Sequence, residues 1–241
     1  SAVLISGRGE LHLSVLFETM RREGYSFCVG RPIPIIKKID DEDCEPFEHT
    51  VVDVPENYQG KVMEQMGVRG GKIQNMTSGA NGVSRIEYLI PSRGLIGYRT
   101  EFLTSTSGRG RIVSSFEKYA RLEILARKNR INGVLISKEN GKASAFSIFN
   151  LQSRGKIMIN PGESVFEGMI IGIHSRENDL VVNPIKGKQL TNIRAASSDE
   201  NIILTPPTIF SLEQALEFIE EDELVDVTPK GIRIRKKILR E

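Results

Sequence analysis

Five Gly-Lys pairs are the residues here most able to do chemistry, because a lysine behind a glycine-rich turn is how a loop cradles a nucleotide phosphate. Such a loop also needs a Ser or Thr directly after the lysine to hold magnesium. Lys61, Lys72, Lys142, Lys156 and Lys188 are followed instead by Val62, Ile73, Ala143, Ile157 and Gln189, which argues against ATP or GTP hydrolysis within this chain. Acid–base and nucleophilic chemistry fare no better. The histidines His12, His49 and His174 stand in no local catalytic signature, and a lone histidine carries no information about a partner. A hydrolase or small-ligand pocket around His174 and Asp179 stays open as an alternative. Cys28 and Cys44 show no CxxC spacing and no histidine at metal distance, so reduced thiols are expected rather than a disulfide framework or a zinc site. No catalytic residue, metal site or cofactor is expected in the chain.

What remains is a set of basic loops built around glycine. Ser92-Arg93-Gly94, Ser107-Gly108-Arg109-Gly110-Arg111 and Lys186-Gly187-Lys188-Gln189-Leu190-Thr191-Asn192-Ile193-Arg194 place cationic side chains beside backbone that can approach a phosphate closely. Gln189, Thr191 and Asn192 add donors and acceptors able to reach a 2′-hydroxyl or a base edge. Arg127-Lys128-Asn129-Arg130 is a fourth basic cluster. The competing reading of each is an ordinary polar turn. Lys186, Lys188, Gln189, Thr191, Asn192 and Arg194 are the first candidates for an RNA contact, followed by Arg93, Arg109, Arg111, Arg127, Lys128 and Arg130. Without an exposed-aromatic signature, phosphate and shape contacts are expected rather than base stacking.

Bulk charge carries no such inference, since 33 Lys and Arg against 31 Asp and Glu leave a net charge of only +2. The 241 residues, 39% hydrophobic and 27% charged, have room for one large or two ordinary globular domains. No apolar run approaches the roughly 18–20 residues that cross a bilayer, and no basic-then-apolar leader opens the sequence. No membrane partner is expected.

The elements that must hold these loops are readable from periodicity. Residues 9–24 form an amphipathic helix with Leu13, Leu16, Phe17 and Met20 on one face, followed by a strand through Tyr25, Phe27 and Val29. So short a helix–strand pair cannot bury its own apolar face, and it is expected to be the tail of a domain. The acidic run Asp40-Asp41-Glu42-Asp43 reads as a solvated connector. Residues 45–119 then switch period in the order β-α-β-β-α-β, the ferredoxin-like split unit, with strands over 47–54, 72–77, 83–90 and 111–119 and helices after Pro55 and over 94–103. From Arg121 onward the pattern is short strands, at 133–137, 143–151, 155–159 and 169–174, expected to make a mostly-β, barrel-like or sandwich domain. One helix interrupts it, opened by the capping box Ser211–Gln214 and faced by the acids Glu213, Glu217, Glu220, Glu221, Asp222 and Glu223, taken as solvating. A terminal strand alternates Ile232 and Ile234 with Arg233 and Arg235. The fold class is α+β.

Several segments together carry a family resemblance: Ser6-Gly-Arg-Gly-Glu-Leu-His-Leu13, Met20-Arg-Arg-Glu-Gly24, Val54-Pro-Glu-Asn-Tyr-Gln-Gly60, Ile90-Pro-Ser-Arg-Gly-Leu-Ile-Gly97, Ile170-Ile-Gly-Ile-His-Ser-Arg176, Lys188-Gln-Leu-Thr-Asn192 and Leu212-Glu-Gln-Ala-Leu-Glu-Phe-Ile219. The chain resembles the BipA (TypA) family of ribosome-associated, elongation factor G-like translational GTPases. The resemblance implies that residues 1–38 end a third domain, 39–44 link, 45–119 form the ferredoxin-like fifth domain, and 120–241 form the family's own C-terminal domain. The GTPase domain, with its GTP and magnesium, would lie outside this sequence. The resemblance further implies a factor acting on the 70S ribosome in the elongation-factor site, in ribosome assembly and stress adaptation; the reduced cysteines point to the cytoplasm and, with no obvious dimer seam, a monomer is expected. The loop over 185–196 would reach 23S rRNA at the peptidyl-transferase region and the acceptor end of A-site tRNA. The fifth domain would face the stalk base of the large subunit. The alternative is that these domains only position the GTPase domain. One stretch departs from the family pattern: Ala120-Arg-Leu-Glu-Ile-Leu-Ala-Arg-Lys-Asn-Arg-Ile131 stands where a glycine- and proline-containing connector is usual.

Overall fold

A computed structural model describes residues 3–7, 9–79, 82–122, 130, 132–187 and 203–239. They form an α+β chain of two compact units, one spanning Pro32–Lys128 and the other joining Ser1–Arg31 to Asn129–Glu241. The chain opens with helix α1 (Glu10–Arg22) and strand β1 (Phe27–Gly30), which belong to the second of these units.

In the Pro32–Lys128 unit, β2 (Lys37–Ile39) and β3 (Glu42–Pro55) form a hairpin whose two-residue turn is Asp40-Asp41, at φ 51° and 62°. The acidic run expected as a connector is therefore a turn followed by the start of a strand. Aspartate is among the few residues other than glycine that tolerate the left-handed region, which a tight hairpin demands. Helix α2 (Glu56–Val68), β4 (Lys72–Ser78), β5 (Val83–Pro91), the short helices α3 (Ser92–Leu95) and α4 (Tyr98–Ser105), and β6 (Arg111–Arg121) complete the unit. The antiparallel order β6-β3-β5-β4 is that of the ferredoxin-like fold. Val52 and Val54 of β3 and Ile86, Tyr88 and Ile90 of β5 alternate onto one face. There they are buried against Val62, Met66, Tyr98 and Phe102 of the helices. The single helix expected over 94–103 is divided, because Ile96 leaves helical geometry and Gly97 takes φ 70°, a conformation that a Cβ would disfavour.

The other unit contains β7 (Val134–Ser137), β8 (Gly141–Lys142), α5 (Ala145–Gln152), β9 (Gly155–Ile157), β10 (Ser164–Val165), β11 (Met169–His174) and β12 (Leu180–Val182). After residues 188–202 come α6 (Leu212–Phe218), β13 (Glu223–Thr228) and β14 (Gly231–Lys236). The main sheet has the order β1-β13-β14-β11-β7-β12, with β9 also paired to β11. Among the described residues it is an open sheet and not a closed barrel. Both its faces are covered. Val134, Ile170, Val225, Val227 and Ile234 pack with Phe17 of α1 and with Leu212, Ala215 and Leu216 of α6. Leu135, Ile157, Ile171 and Val182 pack with Ile148 and Leu151 of α5. A strand buried on both faces cannot alternate with polar residues, which is why β11 reads as an uninterrupted apolar run from Met169 to Ile171. The apolar stripe of α1 finds its cover here, beside a β1 that pairs with β13.

Residues 143–151, expected as a strand, are mostly helix α5. Their apolar residues satisfy either period, and the cap decides: Ser144 Oγ accepts the Ser147 N–H at 3.0 Å. Gly155 sits where an added Cβ would meet the Ile173 carbonyl oxygen at 1.9 Å across the β9–β11 pair. Gly155→Ala is expected to lower the stability of this unit by about 1–3 kcal/mol, seen as a lower urea midpoint; an unchanged midpoint would contradict the close approach.

Candidate nucleic-acid interface

Lys188, Gln189, Thr191, Asn192 and Arg194 lie outside the described residues, but both ends of the segment that carries them are placed. On the outgoing side, the Lys186 carbonyl accepts hydrogen bonds from Ser144 Oγ and Ser147 Oγ, each at 2.7 Å. The Ser144 N–H donates to the Pro184 carbonyl at 2.9 Å. The residue that caps α5 therefore also grips the chain entering the loop. On the return, Gln152 Nε2 donates to the Thr205 carbonyl at 3.0 Å and the Thr208 N–H to the Ile157 carbonyl at 2.8 Å. Ile185 and Leu204, one near each end, pack against the same apolar cluster. The Lys186 side chain is exposed. Ser144 and Ser147 are absent from the residues singled out in sequence. Their signal, a serine ahead of an apolar run, is an N-cap signature that shows only once the run is known to be helical.

Of the cluster at 127–130, Arg127 and Lys128 also fall outside the described residues, while Arg130 is placed and only 12% exposed. Its Nη1 and Nη2 donate to the Glu223 carboxylate at 2.9 and 2.8 Å, and its Nε donates to the Asn132 carbonyl at 2.8 Å. The guanidinium also lies 4.5 Å from the centre of the Phe218 ring. Glu223 is wholly buried and takes a further bond from Lys236 Nζ at 2.9 Å, while Lys236 reaches Asp179 at 2.7 Å and Asp222 at 2.8 Å. Burial opposes the charges on Arg130 and Lys236, but the bonded carboxylates outweigh it and push both above their ordinary pKa. Burial likewise works to raise Asp179, yet its bonds to Lys236 and the Val134 N–H hold it below the usual carboxylate range. The acidic run expected to be solvated thus contains a buried anion, and Glu223 begins β13 instead of facing water on the helix.

His174 and Asp179 form no hydrogen-bonded dyad. His174 is buried with Nδ1 2.6 Å from the Asn178 carbonyl oxygen, which can only accept, so Nδ1 carries the proton. Asp179 instead bonds to the Val134 N–H at 2.9 Å and to Lys236.

In the Pro32–Lys128 unit the three candidate arginines separate. Arg93 Nε and Nη2 donate to the wholly buried Glu45 at 2.5 and 2.8 Å. Arg111 is exposed at the start of β6, in register with Asp53 of β3. The Asp53 carboxylate accepts from Arg85 at 2.7 and 3.0 Å. That bond holds Asp53 below the usual carboxylate range against the effect of burial, and the Arg111 charge adds to it. Arg109 is exposed 5.8 Å from the centre of the Tyr58 ring, and Tyr58 Oη donates to Ser107 Oγ at 3.3 Å. Glu45 and Asp53 are eight residues apart on one strand, roughly 26 Å at about 3.3 Å per residue. Arg109 and Arg111 thus share one end of the sheet and Arg93 holds the other.

Removing the partner of a buried carboxylate is costly, so Arg130→Ala and Arg93→Ala are each expected to lower stability by about 3–5 kcal/mol. Arg109→Ala should stay within about 0.5 kcal/mol. Urea denaturation checks all three. The pH dependence follows from the directions of the shifts. Asp179, depressed on folding, contributes fully above about pH 4 and loses its contribution as pH falls through its lowered pKa; Lys236, raised, contributes fully below about pH 10 and loses it only above that. Asp179→Asn is expected to flatten the acid side of the stability profile and, because Asp179 is one of the carboxylates that raise Lys236, to weaken the alkaline side as well.

Comparison with known proteins agrees with this division of the chain. Residues 42–128 match the family model described as elongation factor G C-terminus, and residues 132–241 match the TypA/BipA C-terminal domain. The junction between the two matches falls where one compact unit ends and the other resumes. The large ribosomal subunit assembly factor BipA of Haemophilus influenzae is 55% identical over 98% of this chain and 38% of its own length. Its counterpart in Salmonella typhimurium is 55% identical over 100% of this chain and 40% of its own, and that of Escherichia coli strain K12 is 54% identical over the same shares. The chain therefore spans about two fifths of the length of these relatives. A crystal structure from Thermus thermophilus aligns over 34% of this chain and 12% of its own at 23% identity and a TM-score of 0.32, too partial a likeness to add to the argument. With relatives this similar along its whole length and two family domains in the order that the fold displays, the chain belongs to the TypA/BipA family, of which it carries the C-terminal part.

Proposed function

We propose that this chain is the ribosome-reading part of a BipA-type translational GTPase, with no chemistry of its own. The observation that carries this is the identity of 54–55% along the whole chain to proteins named as large ribosomal subunit assembly factors. On this reading GTP and magnesium belong to parts of the protein outside this sequence, and the work takes place in the cytoplasm on the 70S ribosome, in assembly and stress adaptation. The segment from Lys186 to Arg194 is the principal RNA contact, directed at 23S rRNA and the acceptor end of A-site tRNA. Its support is the cationic and amide composition of the segment, together with the anchoring of the described residues on either side of it on α5 and β9. Exposed Arg109 and Arg111 contribute phosphate contacts toward the stalk base. Arg93 and Arg130, engaged with buried carboxylates, serve the interface by holding the backbone that presents it.

The test is co-sedimentation of the 241-residue chain with 70S ribosomes across a salt series, beside the variant Lys186→Ala, Lys188→Ala, Arg194→Ala. Wild type is expected to bind with strong salt dependence, and the variant to bind more weakly with a log–log slope reduced by ~0.7–0.9 per lost phosphate contact. Identical curves would overturn the loop assignment. Failure of the wild type to bind at low salt would instead favour domains that only position the GTPase domain.

A further inference from the structure

Among the described residues of the larger unit is a cleft of about 390 Å³, lined by Ser153, Arg154, His174, Ser175, Arg176, Asn178 and Leu180. Its cations belong to the set that is not paired with a carboxylate. Arg69, Arg85, Arg93, Arg130 and Arg235 each grip a carboxylate. Neither Arg154 nor Arg176 has an ion pair with any described residue, and Glu177, the carboxylate next to Arg176, does not line the cleft. Two arginines, a serine and Asn178, whose Nδ2 also donates to the Asp179 carbonyl at 3.2 Å, give the lining several donors suited to a tetrahedral anion with several acceptor oxygens.

The rim is also fixed in advance. The Ser175 N–H donates to the Arg154 carbonyl at 2.9 Å, which holds the two segments side by side at the end of the β9–β11 pair. The Gly133 N–H donates to the Arg176 carbonyl and the His174 N–H to the Gly133 carbonyl, each at 2.8 Å. Asn132 Nδ2 reaches the His174 carbonyl at 3.0 Å, and the His174 ring closes the turn on the Asn178 carbonyl. A turn pinned at both flanks fixes the backbone that carries both arginines at one opening, so that binding has to order only their exposed side chains.

We propose that this cleft is a phosphate-binding site, taking either a phosphorylated small molecule or a backbone phosphate of RNA. Its volume exceeds that of a bare phosphate and lies in the range of small-ligand sites, roughly 300–1,000 Å³. Leu180 supplies an apolar wall for whatever group the phosphate carries. None of the lining residues belongs to the Lys186–Arg194 segment, so the site stands independently of the loop assignment.

The experiment titrates pyrophosphate, and separately a short single-stranded RNA, into the ¹⁵N-labelled 241-residue chain while following the amides of residues 174–178. Arg154→Gln with Arg176→Gln is expected to weaken binding at least about tenfold, the loss of one or two charged hydrogen bonds, and Lys230→Gln, an exposed lysine that does not line the cleft, to leave pyrophosphate binding unchanged. Stronger binding of pyrophosphate assigns the site to a small phosphorylated molecule, and stronger binding of RNA assigns it to a nucleic-acid backbone. Should the double variant lose its folded spectrum, Arg176→Gln alone serves, with about half the loss on a logarithmic scale expected. Absence of shifts at 174–178 with both probes, or equal affinities in wild type and variant, overturns the proposal. Ribosome sedimentation is not read here, so the cleft and the loop can fail separately.

Discussion

The carboxylate of Glu223, with no exposure to water, is the point on which the larger unit depends. A buried anion is tolerated only when it is paired and hydrogen-bonded. Here the pairing draws in Arg130 beside the junction between the two family domains, Lys236 at the end of the last strand, and Asp179 ahead of β12 through that lysine. Glu223 and Lys236 are also register partners across β13 and β14, so the ion pair and the strand ladder specify the same alignment. Four distant stretches of sequence are fixed relative to one another by a single desolvated group and its two cations.

The smaller unit uses the same device on a lesser scale, with Glu45 buried on β3 and Arg93 brought to it by the short helix α3 that follows β5. The cations of this chain thus fall into two populations. Those that meet buried carboxylates are committed to the fold. Those that remain exposed, such as Lys186, Arg109, Arg111, Arg154 and Arg176, are available to a polyanion. A net charge of +2 hides this division, because a sum of charges does not distinguish a cation paired with a buried carboxylate such as Glu45 or Glu223 from one left in water.

The loop and the cleft share a support. Helix α5 grips the outgoing end of the loop through its capping serine and the returning end through Gln152. The next residues, Ser153 and Arg154, form one side of the cleft before β9 joins the sheet. One short helix thereby holds the described residues on either side of 188–202 and leads into one wall of the cleft, and its own position is set by Ile148 and Leu151 in the core beneath the sheet.

Much of this was legible in the sequence because it is local. The β-α-β-β-α-β order follows from switches of period within 45–119, the Ser211–Gln214 box from two residues three apart, and the lack of a P-loop from the residue after each Gly-Lys. The family motifs are local strings as well. Tertiary structure decided the rest, and for a common reason. Whether 143–151 is strand or helix turned on one serine cap and on which apolar neighbours lay across the sheet, since its own pattern fits both periods. Whether Glu223 and Arg130 were solvated or buried turned on each other, across more than ninety residues. Sequence displays the charge on a side chain, but the cost of removing that charge from water, and the partner that offsets it, exist only once the chain has folded.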